Sequence, residues 1–426
     1  DGTLYRTGPN PQFDPLDPNY HWFTGDGMVH AFRVGDGKVS YRNRYVRTPK
    51  WELEREHGRS LFGGFNPMLS DPVTVGKDSG VANTNILFHA GRLLALEEGH
   101  MPFEIDRTTL EPRGYASEYA GRVTAHPKLD PKTGEMVWFG YGVGDMPFST
   151  RMSYGVTDAS GRVVRRTDFE APYSAMVHDF LVTENYVLFP VMPLTGSLER
   201  AMKGLPGYAW EPDKPSYVGH MKRGDDPSAI RWFTTQPGYV FHPMNAREEG
   251  DRIVAEVCLY DAAPLFPLAD GRPGSRSGAR LTRWEFDLTG ATDVVRETAI
   301  DDLDSEFPRL DERFAGLPYR HGYYAADTTG AKSVKMNAIA HIDLKTGVRK
   351  VCNFDPGDQV SEPVFIPRSA SAAEGEGWLT AVVWRAAENR SDLVVLDAGD
   401  IDRGPVAVAR VPRRVPFGFH GNWVGA

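Results

Sequence analysis

The sequence predicts an all-β protein built as a single β-propeller, and three observations carry that expectation. Strand–turn–strand units recur along the whole 426-residue chain, helical periodicity is scarce, and no Pro/Ser-rich linker divides the chain. Residues 31–34, the turn Gly35-Asp-Gly37 and residues 38–41 form the first hairpin, because Asp-Gly supplies the positive φ of a primed turn. Units of the same form stand at 130–139, 157–164, 284–291 and 341–350, irregularly spaced and with no strict repeat. Helices are expected only near 49–61 and over 197–203, the second opened by Ser197 and closed by Gly204. Seven four-stranded blades need about 28 strands, which this length accommodates as one domain over 1–426.

Composition bounds the function. With 41% apolar and 25% charged residues, the chain can bury a large core and reads as an ordinary soluble protein. A net charge of -9, with no Lys/Arg cluster long enough to track phosphates, argues against nucleic acid. No apolar run is long enough for a membrane-spanning helix; the longest, 186–194, is broken by two prolines, and its part 188–194 is the main candidate for apolar surface. Only Cys258 and Cys352 occur, which excludes a disulfide scaffold and fits a reducing cytoplasm. The chain opens on Asp1-Gly-Thr-Leu-Tyr5, which reads as the interior of a domain and carries no secretory signal.

Among the 12 histidines, His21, His30, His57, His89, His100, His220, His321 and His341 lie among polar or turn residues, where a solvated or hydrogen-bonded imidazole suffices. Four others are set in apolar or aromatic surroundings beside a turn former: His126, His178, His242 and His420. A buried imidazole is costly unless its nitrogens find partners or a metal. Their wide spacing excludes zinc-finger and His-Glu-x-x-His arrangements, whose ligands share one local element. Inner strands of a propeller can gather such distant ligands at the axis, and the alternative is four satisfied core histidines. Glu98, Glu306 and Glu362 also adjoin apolar stretches. Each is either an acceptor for the second N–H of a metal-bound imidazole or a carboxylate at the rim. Gly140-Tyr-Gly-Val-Gly144 leads into Met-Pro rather than a helix, so a phosphate cradle is not expected, and neither a nucleophile elbow nor an activated cysteine is present.

Several motifs, in order along essentially the whole chain, resemble the carotenoid cleavage oxygenase family. They are Gly2-Thr-Leu-Tyr-Arg-Thr-Gly-Pro-Asn-Pro11, Gly25-Asp-Gly-Met28, Thr124-Ala-His-Pro-Lys128, His178-Asp-Phe180, Phe241-His242 with Asn245-Ala246, Glu362-Pro-Val-Phe-Ile-Pro-Arg368 and Phe419-His-Gly421. Within the family the sequence is most similar to the bacterial lignostilbene dioxygenase and isoeugenol monooxygenase branch, on Ser60-Leu-Phe-Gly63, Val81-Ala-Asn-Thr84, Leu281-Thr-Arg-Trp-Glu285 and 388–395.

The resemblance implies a seven-bladed propeller whose few short helices and loops cap the active-site face. It implies Fe(II) held by His126, His178, His242 and His420, with Glu98, Glu306 and Glu362 as acceptors behind them and Thr84 beside the open side of the metal. The implied activity is cleavage by O2 of a C=C bond in small aromatic alkenes, stilbenes or phenylpropenes, to aromatic aldehydes. Fe(II) is required because triplet O2 reacts slowly with a closed-shell alkene. In lignostilbene dioxygenases a tyrosine and a lysine hold the substrate's 4-hydroxyl; Phe65 and Glu97 stand at those positions here, and neither reproduces that pair. Two other readings stay open: cleavage of an apocarotenoid polyene, and a metal-free propeller acting as a binding scaffold. A cytoplasmic location and a homodimer are the accompanying expectations, with no strong membrane signal.

Overall fold

The computed structural model describes residues 1–144, 146–331 and 335–426. It is nearly all-β, with antiparallel strands throughout and only two short α-helices among the described residues. The chain divides by contacts into two compact units.

The smaller unit comprises residues 1–125, 159–163 and 414–426. One sheet runs Lys38–Tyr45, Gly27–Gly35, Gly2–Pro9, Gly421–Gly425, so the first strand of the chain lies beside the last. The expected hairpin turn is present: Asp36 and Gly37 take φ of 52° and 70°, the pair of positive values that a primed turn requires. A second sheet runs Asn85–His89, Arg92–Leu96, Phe103–Ile105, Pro112–Tyr115. Tyr5, Val29, Ile86, Leu93, Ala95, Phe103 and Ile105 from these sheets pack into one core. The first expected helix forms over Pro49–His57, shorter than its pattern, because Gly58 closes it at φ 68°. Its inward face is ionic rather than apolar. Buried Lys50 donates to Asp26 Oδ1 (2.8 Å) and Glu54 Oε2 (2.7 Å).

The larger unit comprises residues 126–158 and 164–413. Its longest sheet is a seven-stranded meander from Tyr239–Glu249 through Arg252–Tyr260, Ala279–Asp287, Arg296–Leu310, His321–Asp327 and Ala338–Asp343 to Arg349–Asn353. The hairpins expected at 130–139, 157–164, 284–291 and 341–350 all form, with Gly134, Gly161, Gly290 and Gly347 at positive φ in their turns. At Gly155 the constraint is packing instead: a Cβ there would stand 2.1 Å from the Trp138 ring. The helix Leu198–Met202 is capped as expected, Ser197 Oγ accepting the Arg200 N–H at 3.2 Å.

Two expectations need correction or coarsening. The apolar stretch 186–194 is not surface: the strand Tyr186–Val191 is buried after its first residue, because it pairs on both sides within its sheet. Exposed apolar side chains are found instead at Phe65, Met68, Leu69, Val73 and Val75 in the smaller unit. The all-β class holds, but no sheet among the described residues closes on itself. No helix among them is long and apolar enough to cross a membrane.

Candidate metal centre

His242 lies on the strand Tyr239–Glu249, where pairing with Arg252–Tyr260 slips between Val240 and Pro243 and again between Pro243 and Asn245. Pro243 cannot donate to the ladder, so a bulge forms there, and a bulge re-aims the side chain beside it. Across the sheet, pairing of Arg296–Leu310 with the next strand slips between Glu306 and Arg309, and Phe307 takes φ 51°. A left-handed Phe is strained backbone of the kind that clusters at functional sites. The consequence is a fixed pair: His242 Nδ1 stands 2.5 Å from Glu306 Oε2, which also accepts the Phe307 N–H at 2.6 Å. The Phe307 ring lies against the His242 imidazole, centroids 5.3 Å apart and 25° between planes. Burial alone would raise the Glu306 carboxyl, but the facing imidazole and the Phe307 N–H outweigh it and hold it below the ordinary carboxylate value.

His126 precedes the short strand Lys128–Leu129, and His178 precedes Leu181–Val182. His126 Nε2 is 3.0 Å from His178 Nε2, which is 3.1 Å from His242 Nε2. The Phe241 ring stands perpendicular to His178 (5.1 Å, 89°). Asp179, buried directly after His178, places Oδ2 3.6 Å from His126 Nδ1, while Oδ1 takes Lys128 Nζ at 2.7 Å and the Phe180 N–H at 2.6 Å. Burial raises the Asp179 carboxyl above its ordinary value, against the pull of Lys128.

His420 is buried, held by its own backbone: its N–H donates to the Thr84 carbonyl at 3.2 Å and its C=O accepts the Thr7 N–H at 3.0 Å. His126, His178, His242 and His420 each offer a nitrogen, and the four atoms lie within 4.8 Å of one another. The four histidines singled out in the sequence thus come together, and the group can hold a metal ion. Two ligands at about 2.1 Å from a metal stand about 3.0 Å apart when they subtend a right angle and about 3.4 Å in a tetrahedron. The observed 3.0 and 3.1 Å match the right angle. The donor set, all imidazole with no carboxylate or thiolate, suits a transition metal rather than calcium or magnesium.

The other expected residues are placed as follows. Glu306 meets a histidine directly. Glu362 is buried with its Oε2 3.0 Å from Arg309 Nη1, and Glu98 is half-buried just beyond the strand Arg92–Leu96. Thr84 lends its carbonyl to His420, and its hydroxyl donates to Asn83 Oδ1 at 3.0 Å. Phe65 is 49% exposed with its ring 5.2 Å from that of His21. Glu97 Oε1 accepts the N–H groups of Val81 (2.6 Å) and Ala82 (3.0 Å). Sequence reasoning missed Asp179, Phe307 and Arg309; an acid flanking a histidine in an apolar run was the one readable signal. Of the histidines set aside, His30 is buried and bonded to Tyr41 Oη (2.7 Å) rather than solvated.

Residues 1–425 match the family model described as retinal pigment epithelial membrane protein. The chain is 40% identical to isoeugenol monooxygenase of Pseudomonas nitroreducens, over 99% of this chain and 91% of that protein. It is 38% identical to lignostilbene-α,β-dioxygenase isozyme III of Sphingomonas paucimobilis, over 100% and 91%. The crystal structure of Pseudomonas brassicacearum lignostilbene dioxygenase superposes with a TM-score of 0.95 at 37% identity, covering 100% of this chain and 92% of that one. A variant of the Synechocystis apocarotenoid oxygenase follows with a TM-score of 0.88 at 30% identity, covering 100% and 92%. The fold and the named relatives are those of oxygenases. The chain belongs to the carotenoid cleavage oxygenase family, to which the retinal pigment epithelial protein also belongs.

Proposed function

We propose that the chain is a non-haem Fe(II) oxygenase that uses O2 to cleave the C=C bond of small aromatic alkenes, stilbenes or phenylpropenes, to carbonyl products such as aromatic aldehydes. The observation that carries this reading is the buried group of four imidazoles, in which His178 stands at right-angle spacing from His126 and His242, in a chain 40% identical over its length to an isoeugenol monooxygenase. His126, His178, His242 and His420 would hold the iron. Bound Fe(II) supplies the means of activating O2 toward a closed-shell alkene.

The protein's own residues prepare that site. Glu306 takes the Nδ1–H of His242, which fixes the tautomer and leaves the Nε2 lone pair for the metal. Glu98 and Glu362 are assigned the same office toward the other imidazoles, and Thr84 the position beside the open side of the metal. The rings of Phe241 and Phe307 shield His178 and His242 from water. Phe65 is the proposed substrate-facing side chain; Glu97 stands at the other aligned position, but its Oε1 is engaged by the Val81 and Ala82 N–H groups. Seven blades in one domain over 1–426 is the proposed architecture, supported by the pairing of the first strand with the last. Both cysteines are buried and free, which fits the proposed cytoplasmic location. A homodimer is the proposed assembly, readable by sedimentation.

One observation favours a second reading. The exposed apolar run of Phe65, Met68, Val73 and Val75 would suit delivery of a long apocarotenoid polyene. Incubation of the Fe(II)-loaded protein in air with isoeugenol, resveratrol, a non-phenolic stilbene and an apocarotenal separates the two: aromatic aldehydes support the first, shortened polyene aldehydes alone the second.

A further inference from the structure

The smaller unit holds a second buried assembly of titratable side chains. Glu97 is 12% exposed at its side chain, and the oxygen that accepts the Val81 and Ala82 N–H groups also lies 3.3 Å from His100 Nδ1. His100 Nε2 faces Asp78 Oδ2 at 3.7 Å. Asp78 Oδ1 in turn accepts the Tyr115 hydroxyl at 2.8 Å and the Gly80 N–H at 3.0 Å. The Tyr115 ring lies nearly parallel to the His100 imidazole, 19° between planes. His100 is therefore set between two carboxylates, each of which also grips the backbone of the same short segment.

That segment needs holding. Ala82 sits at φ 46°, where an L-residue is strained. A Cβ on Gly80 would stand 2.1 Å from the Tyr115 hydroxyl, so the chain passes too close to that oxygen for any side chain. Further along, Asn83 Nδ2 donates to the Phe23 and Gly25 carbonyls, both at 2.7 Å, and the Thr84 N–H donates to Leu96 O at 2.9 Å. The Thr84 carbonyl then receives the His420 N–H. One end of residues 80–84 is thus anchored on charge and the other carries the backbone of the fourth histidine.

We propose that Asp78, Glu97 and His100 form a charge-paired clamp that positions Val81–Thr84, and through the Thr84 carbonyl the metal-binding His420, making Glu97 a positioning residue rather than a hydrogen-bond partner of the substrate. The inference rests on the reading of His420 as an iron ligand. The clamp has two pH limits. Burial would raise Glu97, but His100 and the two backbone N–H groups outweigh it, so the carboxylate is lost only as pH falls through a value below the ordinary one. Burial would lower His100, but Glu97 and Asp78 outweigh it, Arg122 opposing weakly, so its charge is lost as pH rises through a value above that of an ordinary imidazole.

The test compares Glu97→Gln, His100→Gln and the milder Tyr115→Phe with the parent protein, all full-length and Fe(II)-loaded. Iron release to a chelator is followed across pH, alongside kcat and KM for isoeugenol and the thermal midpoint as a control of folding. His100→Gln is expected to release iron about 10-fold faster, the scale on which loss of an outer partner weakens a metal site, and to lack the alkaline rise in release expected of the parent. KM is expected to stay unchanged, with Tyr115→Phe intermediate. Parent-like iron release and pH profile in His100→Gln would overturn the clamp, as would a rise in KM alone in Glu97→Gln. His420→Ala is the reference: iron retained there refutes the ligand assignment itself, whereas iron lost there but kept in the other three refutes only the clamp.

Discussion

Glu306 and His242 form a 2.5 Å carboxylate–imidazole contact in which the same carboxylate oxygen also accepts the Phe307 N–H. A single oxygen thereby sets the tautomer of a ring in the proposed metal site and pins a strained residue whose own ring lies against that imidazole. Removing it should loosen both. Glu306→Ala is expected to weaken Fe(II) binding by about 10- to 100-fold, with Glu306→Gln between the two, read by chelator competition. Unchanged iron affinity in both variants would detach Glu306 from the metal site.

Arg309 and Glu362 are both buried and 3.0 Å apart. Replacing the guanidinium by an apolar chain removes the cation facing a buried carboxylate. Arg309→Met is expected to cost about 3–5 kcal/mol of stability, seen as a lower thermal midpoint. A cost below about 1 kcal/mol would indicate that water reaches Glu362 readily.

Lys50 carries a similar charge load in the smaller unit, between Asp26 and Glu54. Lys50→Met leaves two buried carboxylates facing each other, and unfolding by urea should show a loss of about 3–5 kcal/mol at neutral pH.

Burial, with Arg6 nearby, lowers the His30 imidazole to about 3. The folded state keeps it neutral while the unfolded state protonates it near its ordinary value, so the unfolded chain binds the extra proton between those limits. Stability should therefore decline as pH drops from about 6.5 toward 3. His30→Leu should flatten that slope; a slope identical to the parent's would show that His30 does not titrate between the two states.

Much of the site was legible because its chemistry sits in short motifs. His126, His178, His242 and His420 stood out as imidazoles in apolar company, with satisfied core histidines as the alternative, and Glu306 became an acceptor rather than a rim carboxylate only through the family resemblance. The hairpins were legible because Asp-Gly and Thr-Gly turns require positive φ whatever surrounds them. What escaped depends on pairing across distance. The slip that turns Phe307 to positive φ arises only when Glu306 and Arg309 meet the neighbouring strand. The ionic face of Pro49–His57 is not visible in the segment's own sequence, since Asp26 lies 24 residues away from Lys50. The burial of 186–194 and the exposure of Phe65 through Val75 reverse what hydropathy alone implies, because strand pairing, not composition, selects which apolar run is covered.

The most direct measurement is product analysis with isotope-labelled oxygen. The Fe(II)-loaded protein is incubated with isoeugenol and with a stilbene under 18O2, beside the four single His→Ala variants of His126, His178, His242 and His420. Aromatic aldehydes carrying 18O from the parent protein, and neither product nor stoichiometric iron from the variants, is the expected result. Aldehyde formation undiminished in the variants, or no cleavage of any alkene by the iron-replete parent, would contradict an iron-centred alkene cleavage at this cluster.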